Sequence, residues 1–363
     1  MLKILKNLKE SILLVIVIVI LLCVQAAADL NLPDFTSKIV NTGIQQGGIE
    51  YAVPEAIRED QLNDLMYFTD EDEKIQNSYV QMEKTEKNIE EYPELNNQNL
   101  YELKDLNKDE KEELEGIMSR PLMILYQVQD EENAAQIKEK MLQGLDSTSP
   151  QYAMMAQMSV MDIIKSISES EMNTLLAEIN TQIDSMSNSI LEQAAIQEVK
   201  SEYTAIGMDL DKIQNDYIFM TGLQMLGVAF ISMASAVTIM FLSSRVAAKL
   251  GKTLREKIFK KVLSFSTAEF NQFSTASLIT RSTNDVQQIQ QLITMLFRVV
   301  VYAPIIGIGG ILRVVRTSTT SMAWVIALAV FSIIAIVLIL FIVAMPKFRK
   351  MQSLIDRLNL LPR

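Results

Sequence analysis

Four long stretches of this sequence contain no charged residue and consist largely of aliphatic side chains. A helix that crosses a bilayer needs about 20 apolar residues, because each residue adds about 1.5 Å to its length. The stretches predict an all-α polytopic membrane protein with four transmembrane helices and a helical domain outside the membrane. They are residues 11–28, 217–244, 299–312 and 317–346.

The third stretch is shorter than a typical span. Between Arg298 and Arg313 it measures about 21 Å, whereas the hydrocarbon core of a bilayer is about 30 Å thick. Both arginines must therefore extend their side chains to opposite interfaces, or face a water-filled cavity. Arg298 is accordingly a candidate cavity residue.

The first stretch has two interpretations. Three lysines in the first nine residues precede an apolar run that ends in three alanines, which is the pattern of a cleaved signal peptide. Beyond these alanines, however, apolar residues continue at helical spacing, and this continuation favours an uncleaved first span. The residues that continue the stripe are Leu32, Phe35, Ile39 and Val40.

Charge is strongly segregated along the chain, whose net charge is -11. Acids outnumber bases by more than two to one in residues 50–146, whereas residues 245–261 and 347–363 are basic. Positive residues favour the cytoplasmic side of a membrane. Four crossings of the plasma membrane therefore place residues 45–215 outside the cell, and the acidic balance argues against a nucleic-acid partner.

The predicted organisation has four parts. Residues 1–44 form the first transmembrane helix, residues 45–215 an acidic helical domain, residues 216–359 the other three spans, and residues 360–363 a short tail. In the acidic domain glycine and proline are sparse, and helices are predicted over residues 70–91, 109–118, 131–145 and from Met154 onward.

After the second span, apolar residues recur at every fourth position among lysines and arginines: Val246, Leu250, Leu254, Ile258 and Val262. This pattern predicts an amphipathic helix that leaves the membrane. A break at residues 264–273 precedes a second periodic helix that leads into the third span. Residues 245–292 are therefore predicted to form a cytoplasmic hairpin about 30 Å long, whose tip must meet a soluble partner.

The sequence offers no catalytic, cofactor or metal site. The chain has no histidine and a single cysteine, Cys23, so histidine-based catalysis, histidine metal sites and an intrachain disulfide are excluded. Residues 251–253, Gly-Lys-Thr, look like the end of a phosphate-binding loop. The glycine that such a loop requires five residues earlier is replaced by Val246, and no strand precedes it.

Several segments carry a family resemblance when taken together. They are LNLPDFTSKIVNTGI (residues 30–44), FSTAEFNQFSTASLITRSTNDVQQIQ (265–290), YAPIIGIGG (302–310) and AMPKFRKMQSLIDRLN (344–359). They resemble the transmembrane half of an ATP-binding-cassette (ABC) exporter of the bacterial multidrug type. The resemblance covers residues 1–47 and about 216–359, while residues 45–215 resemble a large extracellular insertion that some heterodimeric members carry.

The resemblance implies a half-transporter that pairs with a second, identical or different half and exports drugs, lipids or peptides by alternating access. ATP and Mg²⁺ would be bound by nucleotide-binding domains rather than by this chain, which alone would not hydrolyse ATP. The hairpin tip would be a coupling helix against such a domain, although an ordinary turn with solvated polar residues is the alternative. The implied coupling residues are Thr267, Ala268, Glu269, Phe270, Asn271 and Phe273.

The spans also carry polar residues that either line a central cavity or form hydrogen bonds between helices. These candidates are Gln224, Ser232, Ser235 and Thr238, together with Arg298.

The sequence also departs from that family. Two further spans, a second coupling helix and a nucleotide-binding domain do not follow, so we expect a C-terminally truncated protein or a fragment. A four-span mechanotransmission-type ABC permease with a large outer domain fits without truncation, but such proteins lack a long hairpin between spans two and three. A membrane receptor with a helical sensor domain is a third interpretation, against which the third and fourth spans argue.

Overall fold

The computed structural model describes residues 11–142, 150–167, 169–184, 186–267, 275–316 and 320–359. Most of these residues are helical, which confirms the predicted all-α fold class. The chain divides into two compact units, which we call the terminal unit (Met1–Pro33 and Gly227–Arg363) and the central unit (Asp34–Leu226).

The elements follow one another along the chain without a long irregular segment among the described residues. In order they are α1 (Ile12–Lys38), a π-helical segment (Ile39–Gln45), β1 (Ala56–Arg58), α2 (Glu59–Met66), α3 (Asp72–Ser78), β2 (Tyr79–Gln81), α4 (Glu86–Glu91), a 3-10 turn (Pro93–Asn96), β3 (Leu100–Leu103), α5 (Lys108–Gln129), α6 (Glu131–Leu142), α7 (Pro150–Met155), α8 (Val160–Ser166), α9 (Glu169–Asp184), α10 (Asn188–Ala205), α11 (Leu210–Leu263), α12 (Thr275–Thr280), a π-helical segment (Arg281–Asp285), α13 (Val286–Met295), a π-helical segment (Leu296–Val301), α14 (Tyr302–Arg316) and α15 (Thr320–Asn359).

Four helical segments are long and apolar enough to cross a membrane. Their large apolar side chains are mostly exposed, as expected for surfaces that contact lipid rather than water. The prediction of a multi-pass membrane protein with four spans is therefore confirmed. The segments are Ile12–Gln45, Leu210–Leu263, Leu278–Val314 and Ala327–Phe348.

The uncharged stretch of the third span is part of a longer helical segment. The helical segment extends over Leu278–Val314, so Arg298 lies within it rather than at one end. The prediction counted uncharged residues only, whereas a helix tolerates a single arginine if its side chain reaches a polar environment. The side chains of Arg298 and Arg313 therefore need not extend to opposite interfaces of the membrane. The other interpretation, that Arg298 faces a water-filled cavity, is supported by the cavity described below.

The first helix continues past the three alanines, as the apolar stripe predicts, and ends at a pair of glycines in the central unit. Gly47 and Gly48 have φ angles of 66° and 86°, which a residue with a Cβ atom rarely adopts. This conformation lets the Gly48 amide donate to the Thr42 carbonyl at 2.8 Å. The orphan carbonyls at the helix end are thereby satisfied in the way typical of glycine-terminated helices.

A small antiparallel sheet, which was not predicted, organises part of the central unit. Its strand order is β1-β3-β2, and Ile57 pairs with Tyr101 while Val80 pairs with Glu102. The predicted helix over residues 70–91 was therefore wrong as a continuous element, because strand β2 separates α3 from α4. Strands of three or four residues are too short to leave a period of two in the sequence.

The core of the central unit lies mainly between α5 and α10. Helix α5 begins with a capping box in which Asn107 and Glu110 each accept a backbone amide of the other residue. Its inner face then packs on α10, which also contacts strand β1. Fully buried side chains of this core include Ile57, Met118, Leu122, Leu125, Ile196 and Val199.

Two glutamates of α10 are buried beside this core. Arg58 of β1 binds Glu202 through its guanidinium, with Nη2 2.7 Å from Oε2, and its backbone amide donates to Oε1 at 2.7 Å. One turn earlier, Glu198 is 2% exposed and accepts a hydrogen bond from the Gln61 amide. Burial and then the Glu202 carboxylate raise the pKa of Glu198 to about 7.

We predict that Gly48→Ala destabilises the central unit by about 2 kcal/mol or more, since it adds strain at a positive φ and a steric clash. A Cβ atom there would lie 2.8 Å from the Ile213 carbonyl oxygen, which belongs to the backbone and cannot rotate away. The matched control is Gly116→Ala in α5, where nothing lies within 4 Å of the added atom. The control should be more stable than the parent by about 0.5–1 kcal/mol, because alanine favours helix.

Urea unfolding of the full chain in detergent, followed by far-UV circular dichroism, measures both changes. Equal midpoints for Gly48→Ala and Gly116→Ala would contradict the steric argument.

We also predict that the central unit loses stability as the pH rises from about 4.5 to about 7. In this range the folded state keeps Glu198 protonated while the unfolded state has released the proton, so rising pH favours unfolding. The loss should reach up to about 3 kcal/mol, because one pKa unit corresponds to about 1.4 kcal/mol. The measurement is the urea midpoint as a function of pH.

Glu198→Gln should remove most of this pH dependence, whereas Glu90→Gln, an exposed site on α4, should leave it unchanged. If Glu198→Gln kept the parental pH dependence of the urea midpoint, another titratable group would be responsible for it.

Candidate functional site

A cavity of about 750 Å³ lies within the terminal unit, a size typical of small-molecule sites. Its walls come from α1, from the middle of α11 and from the helical segment of the third span. One side is apolar, with Val237, Met240 and Phe241 among its side chains. Polar residues that also line it are Gln25, Ser243, Ser244 and Thr294.

The third span contributes a stripe of polar side chains to this cavity. Thr294, Arg298 and Tyr302 follow one another at intervals of four residues, close to the helical repeat, so they lie on one side of the segment. Arg298 belongs to the π-helical segment Leu296–Val301. Such segments are rare and often occur at functional sites, because the extra residue redirects a side chain.

Asp29 is the acidic residue of the cavity. It lies on α1, and its two carboxylate oxygens accept hydrogen bonds from the hydroxyl groups of Ser232 and Tyr302. An acidic side chain inside a membrane segment is costly unless it is paired or hydrated. These two bonds satisfy part of that requirement and connect all three walls of the cavity.

A second contact holds α14 against α1 near Asp29. The Arg313 guanidinium donates to the Leu30 carbonyl at 2.5 Å and to the Asn31 side chain at 3.2 Å. A Cβ atom at Gly309 would lie 2.6 Å from a methyl carbon of Leu30, so glycine permits the close approach of the two helices. The cavity wall is thus fixed by both packing and hydrogen bonds.

Arg298 differs from Asp29 and Arg313 in its surroundings. Among the described residues it has neither an ion pair nor a hydrogen-bond acceptor, although its side chain lines the cavity. Ser243, which is 2% exposed, likewise has no partner for its hydroxyl oxygen within the described part of the chain. The exposed Arg298 side chain and the buried Ser243 hydroxyl thus both lack a protein partner among the described residues, and both residues line the cavity.

The predicted cavity residues have different positions. Arg298 lines the cavity, and Ser232 contacts it through Asp29. Ser235 is buried, Thr238 is exposed and donates to the Ala234 carbonyl at 2.7 Å, and Gln224 is an exposed residue of the central unit. None of these last three lines this cavity, and their predicted lining role stays a prediction.

Sequence reasoning missed Asp29 and Tyr302. Asp29 directly follows the first uncharged stretch, and the apolar stripe that continues beyond it was the available signal that it lies within a helix. Tyr302 carried no comparable signal, because a tyrosine in an apolar segment is common at membrane interfaces.

The predicted hairpin consists of two helices that pack side by side. Val246 and Leu250 of α11 are buried in one cluster with Ile293 and Phe297 of the third-span segment. Gly251 allows this approach, since a Cβ atom there would overlap the Gln290 side chain, whose amide donates to the Ala247 carbonyl at 3.3 Å. Gly251 is thus a packing residue inside a helix, consistent with the rejection of a phosphate-binding loop.

The far end of the hairpin exposes apolar side chains. Phe259 is 66% exposed and Leu263 is 70% exposed, although both belong to the basic end of α11. Of the predicted coupling residues, Thr267 is described and exposed. The others, Ala268, Glu269, Phe270, Asn271 and Phe273, lie outside the described residues, so their role stays a prediction.

Comparison with known proteins identifies several relatives. An uncharacterized ABC transporter ATP-binding protein of Mycobacterium bovis is 38% identical over 142 residues, which is 39% of this chain and 24% of that protein. A protein of Mycobacterium tuberculosis with the same description matches to the same extent. The uncharacterized ABC transporter ATP-binding protein YfiB of Bacillus subtilis is 36% identical over 89 residues, 24% of this chain and 16% of its own length.

The chain spans about a quarter of the length of the mycobacterial relatives. The family profile described as ABC transporter transmembrane region matches residues 176–359, which is just over half of the 363 residues. This chain therefore belongs to the ABC transporter transmembrane region family.

Proposed function

We propose that this chain forms part of the transmembrane portion of an ATP-driven exporter of the multidrug type. In this proposal the hairpin transmits motion from nucleotide-binding domains to the spans, which expose the cavity alternately to the two sides of the plasma membrane. ATP and Mg²⁺ bind to the nucleotide-binding domains, and a second half-transporter, identical or different, completes the pathway.

The hairpin is the observation that carries the proposal. Helix α11 has 54 residues, more than twice the length that crosses a bilayer, and its basic end packs against the helix that leads into span three. Phe259 and Leu263 remain exposed there, which favours a protein partner at the tip. The names of the matched relatives include ATP binding, which supports a nucleotide-binding domain as that partner.

The cavity supports a transport pathway within the same unit. It combines an apolar wall with a few polar groups, the composition that small-molecule sites usually have. Drugs, lipids and peptides remain the proposed range of substrates, because the scaffold alone does not select among them.

The central unit contributes most of the proposed extracellular insertion, residues 45–215. The excess of acids in residues 50–146 and of bases in residues 245–261 supports opposite sides of the membrane for the two regions. A four-span permease of the mechanotransmission type is disfavoured by the long hairpin between spans two and three.

We predict that Glu90 is accessible from outside the cell and Glu269 from inside. Glu90→Cys and Glu269→Cys are introduced separately into a Cys23→Ser background, which removes the native thiol, and intact cells are treated with a membrane-impermeant maleimide. The Glu90→Cys protein should be labelled, whereas the Glu269→Cys protein should be labelled only after permeabilisation. Labelling of the Glu269→Cys protein in intact cells would refute the topology.

We further predict that Phe270→Ala with Phe273→Ala abolishes most transport while the chain still folds. Two aromatics at the tip that the sequence predicts should lose little intramolecular packing, whereas an interface can lose about 2 kcal/mol or more for each buried anchor. The matched control is Phe230→Ala, an exposed phenylalanine of the second span outside both the hairpin and the cavity, which should retain transport.

The measurement is substrate uptake into inverted membrane vesicles that contain the chain with its nucleotide-binding domains and second half. Thermal stability in detergent is measured beside it. Parental transport in the double variant, at equal expression, would favour the plain turn over the coupling helix.

A further inference from the structure

The cavity of the terminal unit combines a cation without a protein partner and an apolar wall. The Arg298 guanidinium is a cation that carries hydrogen-bond donors only. Among the described residues no carboxylate pairs with it. A charged arginine inside a membrane segment is costly unless an anion or water compensates its charge.

The Asp29 carboxylate also lines the cavity, and its negative charge would repel an anionic ligand. Its two carboxylate oxygens, however, each accept a hydroxyl hydrogen bond, from Ser232 and from Tyr302, so the protein already provides partners for this charge. Asp29 and Arg298 line the same cavity without forming an ion pair. Arg298, rather than Asp29, is therefore the charged group of the cavity that lacks a described protein partner.

A second group points to the same ligand chemistry. Ser243 lies on α11, lines the cavity and is 2% exposed, yet within the described residues its hydroxyl has no hydrogen-bond partner. A buried hydroxyl without a partner loses free energy that a ligand acceptor would restore. Ser243 and Arg298 come from two different walls of the same cavity.

The rest of the wall indicates what such a ligand carries besides its acceptor group. Val237, Met240 and Phe241 line the cavity on the α11 side and offer aliphatic, thioether and aromatic surface. Methionine adapts to chains of varied shape because its side chain is unbranched and flexible. The site therefore fits a ligand with a hydrocarbon body and a negatively charged end.

We propose that this cavity binds amphipathic anions, with a carboxylate or phosphate group held by Arg298 and Ser243 and a hydrocarbon body along Val237, Met240 and Phe241. The inference rests on the proposed function, since it names the substrate class of the same cavity. Arginine suits this role because its planar fork can bind two oxygens of a carboxylate or phosphate at once.

The test is direct binding to the full chain in nanodiscs of pure phosphatidylcholine. The probe is dansyl-undecanoic acid, whose fluorescence rises in apolar surroundings, and the matched probe is a dansyl-undecylamine of the same length. We expect the anionic probe to bind at least about tenfold more tightly than the cationic probe, as a charge-assisted contact implies.

Arg298→Gln should weaken binding of the anionic probe at least about tenfold, Arg298→Lys should weaken it less, and Ser243→Ala should weaken it a few-fold. Arg298 has no described partner to lose, so these variants are expected to keep the parental melting temperature. Lys252→Gln is the matched control, because it removes one exposed positive charge of the hairpin outside the cavity and should leave probe affinity unchanged.

Nanodiscs doped with phosphatidylglycerol distinguish the source of the anion. Competition with the probe would indicate a lipid headgroup as the natural ligand, and its absence would indicate a soluble amphipath; both results require the Arg298-dependent site. Equal affinity of the two probes, or an Arg298→Gln affinity within twofold of the parent, would overturn the proposal.

The assay needs neither ATP nor a second half-transporter. Its failure would therefore leave the coupling role of the hairpin standing, whereas loss of that role would leave anion binding measurable.

Discussion

Hydrocarbon offers no hydrogen-bond partner, and this constraint accounts for most of the arrangement of the terminal unit. The backbone groups of the spans are satisfied inside their helices, so the remaining polarity belongs to side chains. Asp29 meets the constraint through the hydroxyls of Ser232 and Tyr302, and Arg313 meets it through the Leu30 carbonyl. Arg298 and Ser243 do not meet it within the described protein, and both face the cavity. The same requirement thus explains the helix contacts and identifies where a ligand has something to contribute.

The central unit has to form a stable hydrophobic core without a disulfide bond. Helices α5 and α10 and the three-stranded sheet supply that core, and the unit also buries charged groups. The Arg58–Glu202 pair is compensated by a multidentate contact, whereas among the described residues Glu198 accepts a single side-chain hydrogen bond, from the Gln61 amide. A buried pair contributes less net stability than its geometry suggests, since both charges lose their water. We therefore expect the stability of this unit to depend on the protonation of Glu198.

The hairpin follows from amphipathic spacing and from one glycine. Apolar residues at every fourth position turn towards the neighbouring helix, and Gly251 lets the two backbones approach at Gln290. The contact between the two helices does not bury all apolar side chains of the hairpin, since Phe259 and Leu263 remain exposed. In the proposed exporter these side chains lie near the surface that meets the nucleotide-binding domain, where apolar exposure in the isolated chain is expected.

The sequence by itself determined the helical class, the four spans and the pair of helices that forms the hairpin. These features depend on composition and on spacing within one helix, so neighbouring residues carry the whole signal. Only the tertiary structure decided that Asp29 meets Tyr302, 273 residues further along the chain, and that Ser235 and Thr238 do not line the cavity. It also decided the sheet, whose strands are short and pair across the central unit. The physical reason is that helix formation is local, whereas the faces that meet are chosen by packing between segments far apart in sequence.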